Sequence, residues 1–242
     1  MLVTLSGVAK FPRFEHVFVV TATFRNLFKM NGLKRGALIV VEGVDRSGKS
    51  TQCRKLVESL KARNVNAALV TFPDRTTSTG GLIDKYLKQE THLCDEAIHL
   101  MFTANRWEKK AEMERLLKQG VTLVVDRYSY SGIVYSSVKK NMSVKWCQEP
   151  ENGLLKPDLV LLLVLSEAEM VKRPNYGSEI YENREMQEKV AQAFRDLSER
   201  EKWEVVSADG GVEDVHKELL DKVIKKVSEV GTQPLHTLNF GS

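Results

Sequence analysis

Cysteine is scarce in this chain. Cys53, Cys94 and Cys147 are the only three, far apart and odd in number. No CxxC pair and no His/Cys cluster occurs, which argues against a disulfide framework or a structural zinc site and suits a reducing compartment. Long apolar runs are missing too. The early run VFVVTATF at 17–24 is too short to span a bilayer. Acidic residues are nearly absent at the start: residues 1–35 hold six Lys/Arg and one acid, Glu15, while the remainder holds 30 basic against 31 acidic side chains. The net charge of +4 and the pI near 8.8 therefore come from the first segment. A nucleic-acid surface is a poor inference from such a balance. The sequence has no internal repeat and no low-complexity tract.

What is present is an alternation of strand and helix over most of the 242 residues. ALIVVE (37–42) is a continuous apolar run interrupted only at its end, as expected of a strand buried on both faces. AALVTF (67–72), VTLVVD (121–126), DLVLLLVL (158–165) and WEVVSA (203–208) give four more strands. Helical spacing covers about 48–62 and 95–119, and Val212, Val215, Leu219, Val223 and Val227 mark a last helix. This order argues for a parallel α/β sheet. Residues 1–33 lie outside that pattern. Their basic, acid-poor composition suits a mitochondrial transit peptide. The other reading is an upstream start, with Met30 opening the protein, so that residues from Met30 on are expected to fold and act alone. The stretch 231–242, polar with Gly and Pro, is expected to be loose.

GVDRSGKS (43–50) follows the first strand and opens a helix, the context a G-x-x-x-x-G-K-S phosphate loop requires. Gly43 and Gly48 let the backbone wrap phosphates, and the N–H groups of Ser47 through Thr51 are aimed by the helix start. Lys49 can reach a transferred phosphoryl group and Ser50 can bind Mg²⁺. Asp126 ends a buried strand at the same edge of the sheet, where it can contact Mg²⁺ through water or cap the next helix. Arg127 follows it and could hold a second phosphate. FPDR ends the second strand with Arg75. In FTANRWE, Phe102 and Arg106 stand four residues apart on one helix face; they could hold a planar base, or be a core Phe beside a solvated Arg.

RGALIVVEGVDRSGKSTQ, FPDR, FTANRWE, QGVTLVVDRYSYSG and KPDLVLLL, in this order, resemble thymidylate kinases of the eukaryotic type, from about Arg35 to about residue 228. The resemblance implies a three-layer α/β/α P-loop kinase with a five-stranded parallel sheet and a mobile lid, one kinase domain over 34–230, and a homodimer without membrane or nucleic-acid partners, cytoplasmic or both cytoplasmic and nuclear. It implies the reaction ATP + dTMP ⇌ ADP + dTDP with Mg²⁺. By the same resemblance Asp45 contacts the 3′-hydroxyl of the sugar, Arg46 bridges donor and acceptor phosphates, and Arg75 and Arg127 grip the thymidylate phosphate. Phe72 lines the nucleoside pocket, Phe102 stacks on thymine and Arg106 bonds a thymine carbonyl. Tyr135 crowds out a 2′-hydroxyl, and Tyr181 and Gln187 are lid-side contacts. The lid stretch KRPNYGSEIYEN keeps Arg173, Tyr181 and Glu182 but has Pro174 and Ile180 where a glycine and a basic residue are expected, and Pro174 would stiffen its start. Other readings are a kinase for a different nucleotide or a nucleoside, and a non-catalytic nucleotide-binding regulator. A regulator should lack Lys49 or the loop arginine, and both are present.

Overall fold

Six consecutive fully buried residues, Leu38–Gly43, form strand β1. A strand with no exposed face must lie inside the sheet and be covered on both sides, and that is its place. The computed structural model describes residues 34–166, 168–169, 180–181 and 183–241; residues 1–33 and the lid positions Arg173, Pro174 and Glu182 lie outside the described residues. The other strands are β2 (Ala67–Thr71), β3 (Thr122–Asp126), β4 (Leu159–Val164) and β5 (Glu204–Ser207). Their order is β2-β3-β1-β4-β5, all parallel. Val40 pairs with Val125 on one side and Val160 on the other. The edge strands are only partly covered: β2 alternates, and in β5 only Val206 is buried.

Seven α-helices surround the sheet among the described residues: α1 (Lys49–Ala62), α2 (Ser78–Leu87), α3 (Asp95–Lys118), α4 (Ser129–Ser137), α5 (Val144–Gln148), α6 (Arg184–Glu201) and α7 (Val212–Val230). Helices α1 and α7 pack together against the sheet, and α3, α4 and α6 form a second group joined through α4. The result is the three-layer α/β/α arrangement. Because all strands are parallel, their carboxyl ends share one edge, and the phosphate loop after β1, Asp126 at the end of β3 and Phe72 just after β2 meet there.

The expectation of a loose tail does not hold. Leu238 is buried, its N–H donates to the Leu154 carbonyl (2.7 Å), and its own carbonyl accepts from Gly153 (2.9 Å). Thr237 bridges Leu155, and Phe240 meets the Tyr130 ring edge-on at 6.4 Å. Leu235, Leu238 and Phe240 supply enough apolar surface to dock this strap on the core; composition alone hid them among polar neighbours.

Candidate active site

The loop between β1 and α1 has the backbone that an anion needs. Gly43 and Gly48 have φ of 146° and 91°, and a Cβ on Gly43 would stand 2.5 Å from the Leu163 carbonyl oxygen. Gly48 caps α1 without a side-chain bond, so no side chain of the cap occupies the first-turn N–H groups. The Lys49 side chain is buried and folds back on its own loop, donating to the Val44 carbonyl (2.5 Å) and Ser47 Oγ (3.3 Å). Burial, with the nearby Arg127 cation, pulls its pKa down to about 8, against the carboxylates of Asp45, Asp126 and Glu42.

Next to Lys49, Ser50 Oγ donates to Asp126 Oδ2 at 2.5 Å. Asp126 does not cap the following helix. Glu42, fully buried at the end of β1, does so instead: it accepts from the N–H groups of Tyr128 (2.9 Å) and Ser131 (3.1 Å) and from Ser131 Oγ (2.5 Å). Burial raises the Glu42 pKa, opposed by those bonds and by Arg127. Its role was missed from sequence, although an acid inside an apolar strand is itself a signal.

Asp45 is the hub of the opposite wall. Arg127 Nη2 donates to its Oδ1; the Tyr135 hydroxyl (2.8 Å) and Gln187 Nε2 (2.7 Å) donate to Oδ2. Its backbone N–H donates to Gln187 Oε1 (3.0 Å), which ties α6 to the loop. Burial alone would raise the Asp45 pKa, but Arg127, Lys49 and these two side-chain bonds together hold it below the ordinary carboxylate range. Arg127 also donates to the Gly43 carbonyl (3.0 Å) and Ser131 Oγ (3.1 Å) and lies 5.3 Å from the Tyr135 ring centre.

A third group sits farther out. Arg106 is not a solvated arginine: it is 2 % exposed and paired with Glu151, which is fully buried. Phe102 packs with Ile83, Tyr86, Leu87 and Ile98. The Tyr181 ring lies 5.6 Å from Tyr135 and 6.2 Å from Tyr86. Arg75 pairs with Asp84 at 2.5 Å, and Phe72 lies 5.7 Å from the Tyr128 ring.

All three groups border one cavity of about 530 Å³. It is lined by Asp45, Arg46, Gly48, Lys49, Ser50, Thr51, Phe72, Arg75, Phe102, Arg106, Asp126, Arg127, Tyr135 and Tyr181 among others. Of the residues singled out in the sequence, Gly43, Ser47 and Gln187 do not line it; they hold Arg127, Lys49 and Asp45 from behind. Gly132 also borders it, and a Cβ there would stand 2.5 Å from Arg106 Nη2. Gly132→Ala should therefore overpack the site and cost about 1–3 kcal/mol in urea denaturation; unchanged stability would show that α4 can shift away from Arg106.

A phosphate loop beside a part-buried hydroxyl–carboxylate pair, with further arginines across one cavity, defines a P-loop kinase whose phosphoryl acceptor is itself an anion. The thymidylate kinase family model matches residues 41–219. Thymidylate kinase of Arabidopsis thaliana is 48% identical over 195 residues, 81% of this chain and 73% of that one. The human thymidylate kinase is 47% identical over 188 residues, 77% and 89% of the two chains. The solved structure of thymidylate kinase from Candida albicans, 36% identical, aligns with a TM-score of 0.77 over 85% of this chain and 99% of that one. The chain belongs to the thymidylate kinase family, and it transfers a phosphoryl group from ATP to dTMP to give dTDP, a step in dTTP biosynthesis.

Proposed function

We propose the following division of labour for that reaction. Lys49, Gly48, Ser47, Ser50 and Thr51 hold the ATP phosphates, with Lys49 exchanging its contact with the Val44 carbonyl for a phosphate oxygen. Arg46, which lines the cavity beside Lys49, neutralises the oxygens between donor and acceptor. Arg127 and Arg75 hold the dTMP phosphate. Asp45 accepts from the sugar 3′-hydroxyl, and Tyr135 fills the space beside C2′. Phe102 and Phe72 enclose the base and Arg106 donates to a thymine carbonyl. Tyr181 and Gln187 complete the acceptor side. The reaction needs no general base, because the attacking atom is already a phosphate oxygen. Catalysis is positioning of two anions and neutralisation of charge that accumulates between them.

The pair Ser50 Oγ and Asp126 Oδ2, 2.5 Å apart at the mouth of the loop, fits Mg²⁺. This ion takes one or two protein oxygens and completes its octahedron with phosphate and water. Bound there with ATP, it would neutralise the donor phosphates.

The observation that carries this reading is the single cavity joining the phosphate loop to the Asp45–Arg127–Tyr135 cluster. A coupled assay with dTMP, dUMP, dCMP and thymidine as acceptors tests it. dTMP should be the best acceptor and thymidine, which brings no phosphate to Arg127 and Arg75, should not turn over. Turnover of thymidine at a comparable rate would overturn the reading.

Leu100 and Trp107, seven residues apart on one stripe of α3, stay 46% and 39% exposed, and Leu82 on α2 is 49% exposed. We propose that this face meets a second copy of the chain; Leu100→Glu should then convert a dimer to a monomer in sedimentation, and a monomeric wild type would remove the idea. No helix among the described residues is long and apolar enough to cross a membrane. Our reading of location is cytoplasmic, or cytoplasmic and nuclear; a reporter fused to residues 1–33 that reached mitochondria would replace it with the transit-peptide alternative.

A further inference from the structure

Glu151 has no place in the phosphate-transfer machinery, yet it is fully buried one side chain away from the base end of the cavity. It lies in a short 3₁₀ turn, Glu149–Glu151. Its two oxygens take Arg106 as a fork. Arg106 Nε donates to Oε2 at 2.9 Å and Nη2 donates to Oε1. Thr103, one turn before Arg106 on α3, donates to Oε1 at 2.6 Å and accepts from Arg106 Nη2 at 3.3 Å. A bidentate fork fixes the guanidinium plane as well as its position. On its other side the guanidinium abuts Gly132, whose missing side chain leaves room for it.

The turn itself is pinned on both sides of Glu151. Trp107 Nε1 donates to the Pro150 carbonyl (2.9 Å), and the Phe240 N–H donates to Asn152 Oδ1 (2.7 Å). A buried ion pair about breaks even against apolar packing, so stability alone is a weak reason for one. Directional control of a group that borders a ligand cavity is a stronger one.

We propose that Glu151 is a positioning residue for base recognition: it orients Arg106 so that the guanidinium donates to the C4 carbonyl of thymine. This rests on the reading that Arg106 contacts the base. The specificity follows from donor and acceptor chemistry. Thymine and uracil present a carbonyl at C4, whereas cytosine presents an amino group, a donor facing a donor. Glu151 would thus help set the preference for dTMP over dCMP without touching substrate. It would not affect the choice between dTMP and dUMP, which share the carbonyl.

Full-chain Glu151→Gln, Glu151→Asp and Arg106→Lys proteins test this. The readouts are kcat/KM for dTMP and dUMP and for dCMP, the last as substrate or as competitive inhibitor. Ratios of these constants do not depend on how much of a variant is folded. In Glu151→Gln the amide can accept only on its oxygen and sets its NH₂ against the other guanidinium N–H. The dTMP:dCMP preference should fall at least about tenfold, with dTMP:dUMP and the KM for ATP unchanged. Glu151→Asp keeps the charge and should recover most of the preference. An equal loss for all three acceptors would make Glu151 mere support for the fold and overturn the proposal. If Arg106→Lys lowers the preference and Glu151→Gln does not, the proposal fails alone. If Arg106→Lys also leaves it intact, the base-contact reading fails with it.

Discussion

Arg46→Ala should lower kcat at least about a hundredfold, with the KM for dTMP little changed, if Arg46 acts as proposed on charge formed only during transfer. Arg46 stands between Asp45 and Ser47 with φ of 65°, on the cavity wall. That left-handed backbone is uncommon for a residue with a side chain, so alanine could disturb the loop as well as remove charge. Arg46→Gly separates the two effects, because glycine accepts this backbone freely. Equal losses in both variants assign the effect to the guanidinium. Near-normal turnover in both would move the catalytic cation elsewhere, with Arg173 of the lid stretch the next candidate.

Arg127→Ala should act on the acceptor instead, raising the KM for dTMP on the order of a hundredfold. On the proposed roles two losses combine: the acceptor phosphate loses a cation, and Asp45 loses the Arg127 bond while keeping the Tyr135 and Gln187 bonds. The second loss has a signature in pH. Burial, the largest influence on Asp45, raises its pKa and is overcome mainly by Arg127. In the wild type the carboxylate's contribution to stability is present above the ordinary Asp range and is lost only as pH falls through the depressed value. With Arg127 gone the balance tips toward burial, and Asp45 protonates at a higher pH. The acid limb of kcat/KM for dTMP should therefore move upward in Arg127→Ala. An unmoved limb with a raised KM would mean that Lys49 and the neutral donors hold Asp45 ionised by themselves.

How much of this was legible in the sequence depends on the range of the contact. The three inner strands are short apolar runs of the kind a parallel sheet buries, and all five strands fall within a residue or two of their expected bounds. The phosphate loop is local, so its spacing, glycines and flanking elements all lie in one stretch. Helix α4 is different. Ser129 through Ser136 are all buried, so it has no amphipathic stripe to detect, and its Ser-rich sequence does not advertise a helix. The pairings that shape the site are long-range: Arg106 to Glu151, Asp45 to Gln187, and Glu42 to the start of α4. No periodicity records which buried acid finds which arginine. The strap at the C-terminal end was misread because three apolar side chains outweigh the polar residues between them only once a groove exists to receive them.

The strand order has a consequence for how the chain is made. Leu38 in β1 finds its neighbour at Leu123, and Ile39 finds its other neighbour at Leu159. Nothing synthesised near β1 can cover it within the sheet. At roughly 5–20 residues per second, this buried central strand waits several seconds on the ribosome before either flank exists. The phosphate loop waits with it, since its base is the end of that strand. Nascent chains halted before β4 should therefore hold chaperone and fail to bind ATP, and both properties should change together once residue 164 has cleared the exit tunnel.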